Sequence, residues 1–315
     1  MKRFKNILLI SDSENRDVNA LKEALALSKN NKTRLTVAEV VEEFPQEMID
    51  LSASIKIADL QEAVGKEAMK DLKAFVDGVK EKGRPVTTKI LVGTAFLEII
   101  RLVLAKKHGL VMITAEGKTE LGEMFFGSTT MHLMRKCPCP IWVFNPKHPR
   151  RHAVILAAVD PDPFDEERDA LNHRIMALAS SMAEIKKAKL HVVHAWTPPT
   201  RNILVSRTLL EQEVEMMVSE TEKAHRLRLD VLLKKYVPRI PEKQVHLLEG
   251  DAGEVIPELA KKLNVHLIVM GTVSRTGVSG LLIGNAAEKV LRQVDCSVLT
   301  AKPEGFVTPV EAAKV

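Results

Sequence analysis

Two stretches of this 315-residue chain have residue types and spacing suited to holding an anion. In the second half, the apolar run Leu267–Met270 stops at Gly271, and a loop rich in Gly, Ser and Thr leads to Gly284 and Asn285. A strand, a glycine-bearing loop and a helix start leave several backbone N–H groups without helical partners and pointing one way, which suits phosphate or another anion. In the first half, the apolar run Leu110–Ile113 leads through Thr114 and Gly117 to Gly127, Ser128 and Thr129. Each half also has an aspartate at the end of its first apolar run, Asp12 and Asp160. A carboxylate there either caps the following turn or reaches a ligand, and the residue type gives both equal weight.

Helix-start chemistry and loop charge favour opposite halves. Asn285 with Glu288 three residues on fits a capping box, whose side chains would occupy the same donors as a phosphate. The first half has Met131 at the position of Glu288, which leaves its donors open. Against that, the first loop carries Glu116, Glu120 and Glu123 with Lys118, while the second carries Arg275 and no acid.

No set of catalytic residues emerges. The chain has no Gly-x-Ser-x-Gly elbow, no His-Glu-x-x-His, and no Gly-x-Gly-x-x-Gly after its first strand. Gly117-Lys118-Thr119 looks like the end of a P-loop, but the glycine required five residues earlier is Met112. Cys137 and Cys139, with His132 nearby, fall short of the four ligands of a structural zinc site. Cys139 aligns with Cys296 at the start of a closing strand, so these thiols read as packing groups. His191, His194 and His246 fall in strands and read as packed or solvated side chains.

The elements that must position these residues alternate. Apolar runs at 6–10, 35–41, 88–92, 110–114 and 141–144 read as strands. Helical periodicity runs over 18–27, 55–79 and 96–107, with a further helix from Ser128. Ile57, Leu60, Val64, Ala68, Leu72, Phe75 and Val79 line one expected face. Met216, Met217, Leu227, Val231 and Leu232 in the second half read as core and groove wall. Strands alternating with helices imply a parallel sheet covered on both faces.

After a basic, proline-containing linker at 145–151 the pattern restarts. The two copies are separated by 148 residues at Asp12/Asp160, 155 at Leu35/Leu190, and 157 at Gly93/Gly250, Gly127/Gly284 and Cys139/Cys296. A slowly growing offset is what a duplicated domain with loop insertions gives. The expected division is 1–146, 152–302 and a flexible tail, 303–315. Composition excludes several classes. A net charge of +5 with one Tyr and two Trp gives no stacking or phosphate-tracking surface for nucleic acid. No apolar run approaches the roughly 20 residues of a membrane span. Three cysteines without an export signal fit the cytoplasm.

Each half resembles the universal stress protein domain. The resemblance rests on Asp12 and Asp160, the Gly93 and Gly250 turns, and the strand–loop–helix stretches, and it covers nearly all of the chain outside the tail. The family's nucleotide-binding branch has Gly, two residues, Gly, nine residues, Gly, then Ser or Thr. The spacing recurs as Thr114, Gly117, Gly127-Ser128 and as Gly271, Ser274, Gly284-Asn285, with departures at Thr114, Ser274 and Asn285.

The resemblance implies two tandem α/β domains, each a five-stranded parallel sheet of order 3-2-1-4-5 with helices on both faces. Strands one and four would then flank the ligand crevice. It further implies that Asp12 or Asp160, with strand-two backbone near Val40 or Ala195, meets an adenosine. Thr114, Gly117, Gly127, Ser128 and Thr129, or Gly271, Ser274, Arg275, Gly284 and Asn285, would take the phosphates. ATP or another adenine nucleotide is expected in at most one half, with no metal beyond Mg²⁺ arriving with it. The halves are expected to pack through 141–144 and 298–301 as an intramolecular pseudo-dimer, with a further homodimer open. The implied role is a cytoplasmic, ligand-binding regulatory module for surviving stress such as DNA damage. Its expected partners are a small molecule and other proteins, with no direct nucleic acid and no membrane. The rival readings are a slow ATPase or adenylyl transferase using Lys118 or Arg275, and a protein-interaction scaffold with filled pockets.

Overall fold

The computed structural model describes residues 4–14, 16–44, 57–115, 126–146, 153–162, 165–198, 211–272 and 283–311. Gly117, Lys118, Ser274 and Arg275 lie outside them. The chain divides into two compact units, one built on each half.

The first unit places strands β1 (Asn6–Ser11), β2 (Arg34–Val41), β3 (Thr87–Val92), β4 (Leu110–Thr114) and β5 (Ile141–Phe144) in the order β3-β2-β1-β4-β5. All neighbouring pairs are parallel. Its helices are α1 (Val18–Asn31), α2 (Ile57–Val79), α3 (Ala95–Lys106) and α4 (Ser128–Lys136). The central strands are apolar at nearly every position because helices cover both faces. Ile7, Leu8, Val37, Leu110, Val111 and Met112 have no exposure.

The second unit repeats the plan with β6 (Val154–Ala158), β7 (Lys189–Trp196), β8 (Val245–Glu249), β9 (Leu267–Gly271) and β10 (Ser297–Ala301). Their order is β8-β7-β6-β9-β10, again parallel throughout. Helices α5 (Glu166–Lys186), α6 (Glu211–Tyr236), α7 (Ala252–Lys262) and α8 (Asn285–Gln293) accompany them. Both units therefore have the 3-2-1-4-5 order that the resemblance implies.

Two expected faces differ from those observed. In α2, Leu60 and Val64 are exposed, and burial sets in only toward Leu72 and Val76. In α6, Met216, Met217, Leu227 and Val231 are exposed, and Val214, Leu229, Leu232 and Leu233 supply the buried side. Helical spacing identifies candidate faces, but the neighbours that cover them decide which is core. The stretch expected as a loose tail begins tethered, since Arg174 Nη1 donates to the carbonyls of Lys302 (2.9 Å) and Pro303 (3.2 Å). Further on, Val310 is buried.

Candidate functional site

Parallel packing with strand one between strands two and four puts the ends of β6 and β9 side by side, which is where open α/β sheets receive ligands. In the second unit a cavity of about 660 Å³ opens there. Asp160, Ala195, Gly271, Gly284 and Asn285, five of the residues singled out from the sequence, all line it. A cavity of that size lies within the range of small-molecule sites, roughly 300–1,000 Å³.

Three local causes shape this hollow. Asn172 on α5, 2% exposed, receives the backbone N–H of Asp160 and donates to its carbonyl, both at 2.7 Å, which fixes the chain as it leaves β6. Gly271 passes so close to α5 that a Cβ would stand 2.7 Å from Leu171 Cδ2. Gly250, between β8 and α7, has φ +138° and also lines the cavity, a backbone conformation open only to glycine.

The N-terminus of α8 closes one part of the wall, and here the structure corrects the capping-box expectation. Gly284, not Asn285, is the N-cap, and as a glycine it brings no side chain to the helix start. Glu288 turns outward to Arg292 at 2.8 Å, an i,i+4 pair, instead of folding back. α4 likewise has a glycine, Gly127, as its N-cap. The helix starts therefore do not distinguish the two halves, as the sequence suggested they would.

Elsewhere in the wall the charges are mostly acidic. Arg168 lines the cavity and donates to Asp162 Oδ2 at 2.8 Å, with Asp165 Oδ2 at 3.4 Å and Asp160 Oδ2 at 3.9 Å. Asp165, Glu167 and Asp251 are the other charged lining residues among those described. The acids around Arg168 suit hydroxyls or a cation, and the N–H groups at the start of α8 suit an anion. The cavity wall thus presents acidic side chains and helix-start N–H groups together.

A histidine pair gives the site an element that sequence reasoning missed. His194 on β7 is 1% exposed, with Nδ1 3.1 Å from the Val159 carbonyl and Nε2 2.8 Å from His225 Nδ1. A carbonyl only accepts, so His194 carries its proton on Nδ1 and, when neutral, accepts from His225 at Nε2. His225, on α6, lines the cavity and stacks on Trp196, with ring centroids 5.5 Å apart. Nothing in the periodicity of α6 distinguished His225, and Arg168 and Asn172 gave no signal either.

The first-half positions differ. Asp12 is exposed and its Oδ1 accepts from Glu14 N–H at 3.0 Å, capping its own turn. Val40 is half-buried at the end of β2, beside Glu39, which is 2% exposed and bound to Arg16 at 2.9 Å. Gly127 is buried, Ser128 exposed, and Thr114 and Thr129 half-buried.

Geometry thus defines a class: a tandem α/β protein whose two repeats share one strand order, with a cavity at the strand ends of the second. The family model described as "Universal stress protein family" matches residues 3–145 and 153–302, so the chain belongs to that family. "Universal stress protein E" of Salmonella typhi is 29% identical over 313 residues, covering 99% of this chain and 98% of that protein. The protein of the same name from Escherichia coli K12 is 28% identical over the same length. Among solved structures, a universal stress protein from Pseudomonas aeruginosa UCBPP-PA14 matches with a TM-score of 0.70 at 25% identity, covering 96% of this chain and 94% of that one. One from Archaeoglobus fulgidus DSM 4304 shares the fold at 14% identity, with a TM-score of 0.63. The family and these relatives support a role in the stress response.

Proposed function

We propose that the protein is a cytoplasmic regulatory module of the stress response whose second half receives a small ligand. That ligand combines hydrogen-bonding groups with an anionic end, as an adenine nucleotide or a related metabolite does. Its role in surviving damage, including DNA damage, is indirect and runs through this bound state. The observation that supports the reading is the convergence of Asp160, Ala195, Gly271, Gly284 and Asn285 on one cavity. Where a nucleotide binds, Asp160 and the backbone at Ala195 would hold the nucleoside end, and the α8 N-terminus the phosphates, any Mg²⁺ arriving with them. Among the described residues no helix is long and apolar enough to cross a membrane.

Native mass spectrometry of protein purified from cells tests the reading, followed by calorimetric titration with ATP, ADP and AMP. Binding is expected at one site per chain. Asp160→Ala should weaken it about tenfold or more, the cost of losing a charge-assisted hydrogen bond, and Asp12→Ala should leave it unchanged. Equal losses from the two variants would move the site away from the second half. Flat heats with all three nucleotides, together with no retained metabolite, would remove the ligand from the function.

A further inference from the structure

The sequence Cys-Pro-Cys-Pro at 137–140 joins α4 to β5, and its two sulfurs, Cys137 Sγ and Cys139 Sγ, are 3.5 Å apart. Neither is in a disulfide, and both are buried, Cys137 with no exposure and Cys139 with 6%. The chain itself brings them together. A residue before proline is driven out of the helical region, and here both cysteines precede one. α4 therefore ends at Lys136, and Cys137 is extended, with φ −74° and ψ 133°. In extended backbone residues two apart face the same way, and a bend at 138–139 closes the remaining distance.

We propose that Cys137 and Cys139 form an oxidisable dithiol, a modification site that closes to an intrachain disulfide when a hydroperoxide reaches it. The sulfurs need to approach by about 1.5 Å to reach the S–S bond length of about 2.05 Å. Cys139, the more exposed, gives up its thiol proton, and its sulfur attacks one peroxide oxygen. The O–O bond breaks, leaving a sulfenic acid on Cys139, and the first water leaves. The Cys137 sulfur then attacks the Cys139 sulfur, the S–O bond breaks, and a second water leaves with the Cys137 proton. Two thiols lose two electrons and two protons, and one hydrogen peroxide takes them up. A disulfide closing so short a loop is strained and so readily reduced again, the property of a regulatory pair and not of a structural clamp. Its closure tightens the link behind α4, the helix whose N-terminus carries Gly127 and Ser128.

Cys296 is the built-in control. It occupies the place of Cys139 in the second copy, but the residue two before it is Val294. Burial, with a smaller contribution from Asp295, pushes its thiol up to about 12, so it is not a nucleophile at neutral pH.

The test treats the folded, full-length protein with graded hydrogen peroxide, blocks the remaining thiols, and maps the tryptic peptide 137–147 by mass spectrometry. The expected product is this peptide lighter by two hydrogens, restored by dithiothreitol, while Cys296 reacts at least about tenfold more slowly. Cys137→Ser should abolish the loss of two hydrogens and leave Cys139 to accumulate sulfinic acid, which dithiothreitol does not reverse. The proposal is overturned if the wild-type peptide gains oxygen on single cysteines without losing two hydrogens. Reduction that persists until the protein is unfolded, or a disulfide between chains, would overturn it equally.

Discussion

The two crevices began as copies, and their wall residues have gone different ways. In the first, Asp12 is occupied by its own turn; in the second, Asp160 lines a cavity. The strand-two position at the base of each crevice is Glu39 in one, bound to Arg16, and His194 in the other, bound to His225. The end of strand four is Thr114 in one and Gly271 in the other, where a Cβ would stand 2.7 Å from Leu171 Cδ2 and force that side chain to move. The difference teaches that the glycine of the family signature matters here through the helix packed against it. The copy that keeps the glycine has a cavity at its strand ends, while the helix after the loop starts from a glycine N-cap in both.

Each half carries one tryptophan, Trp142 in β5 and Trp196 in β7, so single-tryptophan variants can report the unfolding of each half separately. The largest contrast is expected at the turns after strand three. Gly93 has φ +130°, and a Cβ there would meet the flexible Glu98 Cγ at 3.2 Å. At Gly250 it would meet the branched Val255 Cγ1 at 2.7 Å. Gly250→Ala should cost the second half about 3 kcal/mol, backbone strain and overpacking together, and Gly93→Ala about 1–2 kcal/mol in the first. Urea denaturation read at the two tryptophans checks this, and a reversed order would break the contrast drawn between the two turns.

A smaller contrast is expected beneath the crevices. Arg16→Ala leaves the Glu39 carboxylate, 3% exposed, without its cation. Because Arg16 itself is 20% exposed, the loss should be about 2 kcal/mol, below the range for a fully buried pair. His225→Ala removes a neutral hydrogen bond from the second half and should cost about 1 kcal/mol. If the histidine variant proves the more damaging in the same denaturation series, His194 and His225 are doing more than holding shape.

Much of this was legible in the sequence because it depends on local rules. Apolar runs located the five strands of the first half to within one residue at each end, and the slowly growing offset, from 148 to 157, revealed the second copy. Asp160, Ala195, Gly271 and Gly284 could be assigned to one crevice because topology dictates which strand ends meet. What was not legible depends on side chains from distant segments. Asn285 looks like an N-cap by composition, yet the helix takes Gly284, and Glu288 finds Arg292 on its own helix. Leu171, Asn172 and His225 shape the site from α5 and α6, and no local pattern marks them. The aligned pair Thr114/Gly271 was visible as a motif departure, but its cause, the approach of Leu171, exists only in the folded chain.

The smallest expected contrast is in pH dependence. Burial lowers the affinity of His108 and His132 for a proton in the first half, and of His191 and His246 in the second. The second-half pair differs in being coupled: His191 Nδ1 lies 2.9 Å from His246 Nε2, and the rings stack at 5.3 Å. Neutral, the two share one N–H; doubly protonated, they would set two donors and two positive charges against each other. For His191 the causes rank as burial, then His246, then Lys189; for His246, burial, then Lys262. A histidine that resists protonation when folded binds fewer protons than it does unfolded, so stability rises with pH. This contribution is complete above about pH 6.5, where unfolded histidine is neutral, and is lost as pH falls below that value. The urea midpoint at Trp196 should therefore fall between pH 7 and pH 5, and His246→Gln should flatten that fall by leaving His191 beside a neutral partner. If the variant's midpoint falls as steeply as the wild type's, the coupling of the two rings contributes nothing, and the acid sensitivity of the second half must be sought in its other buried groups.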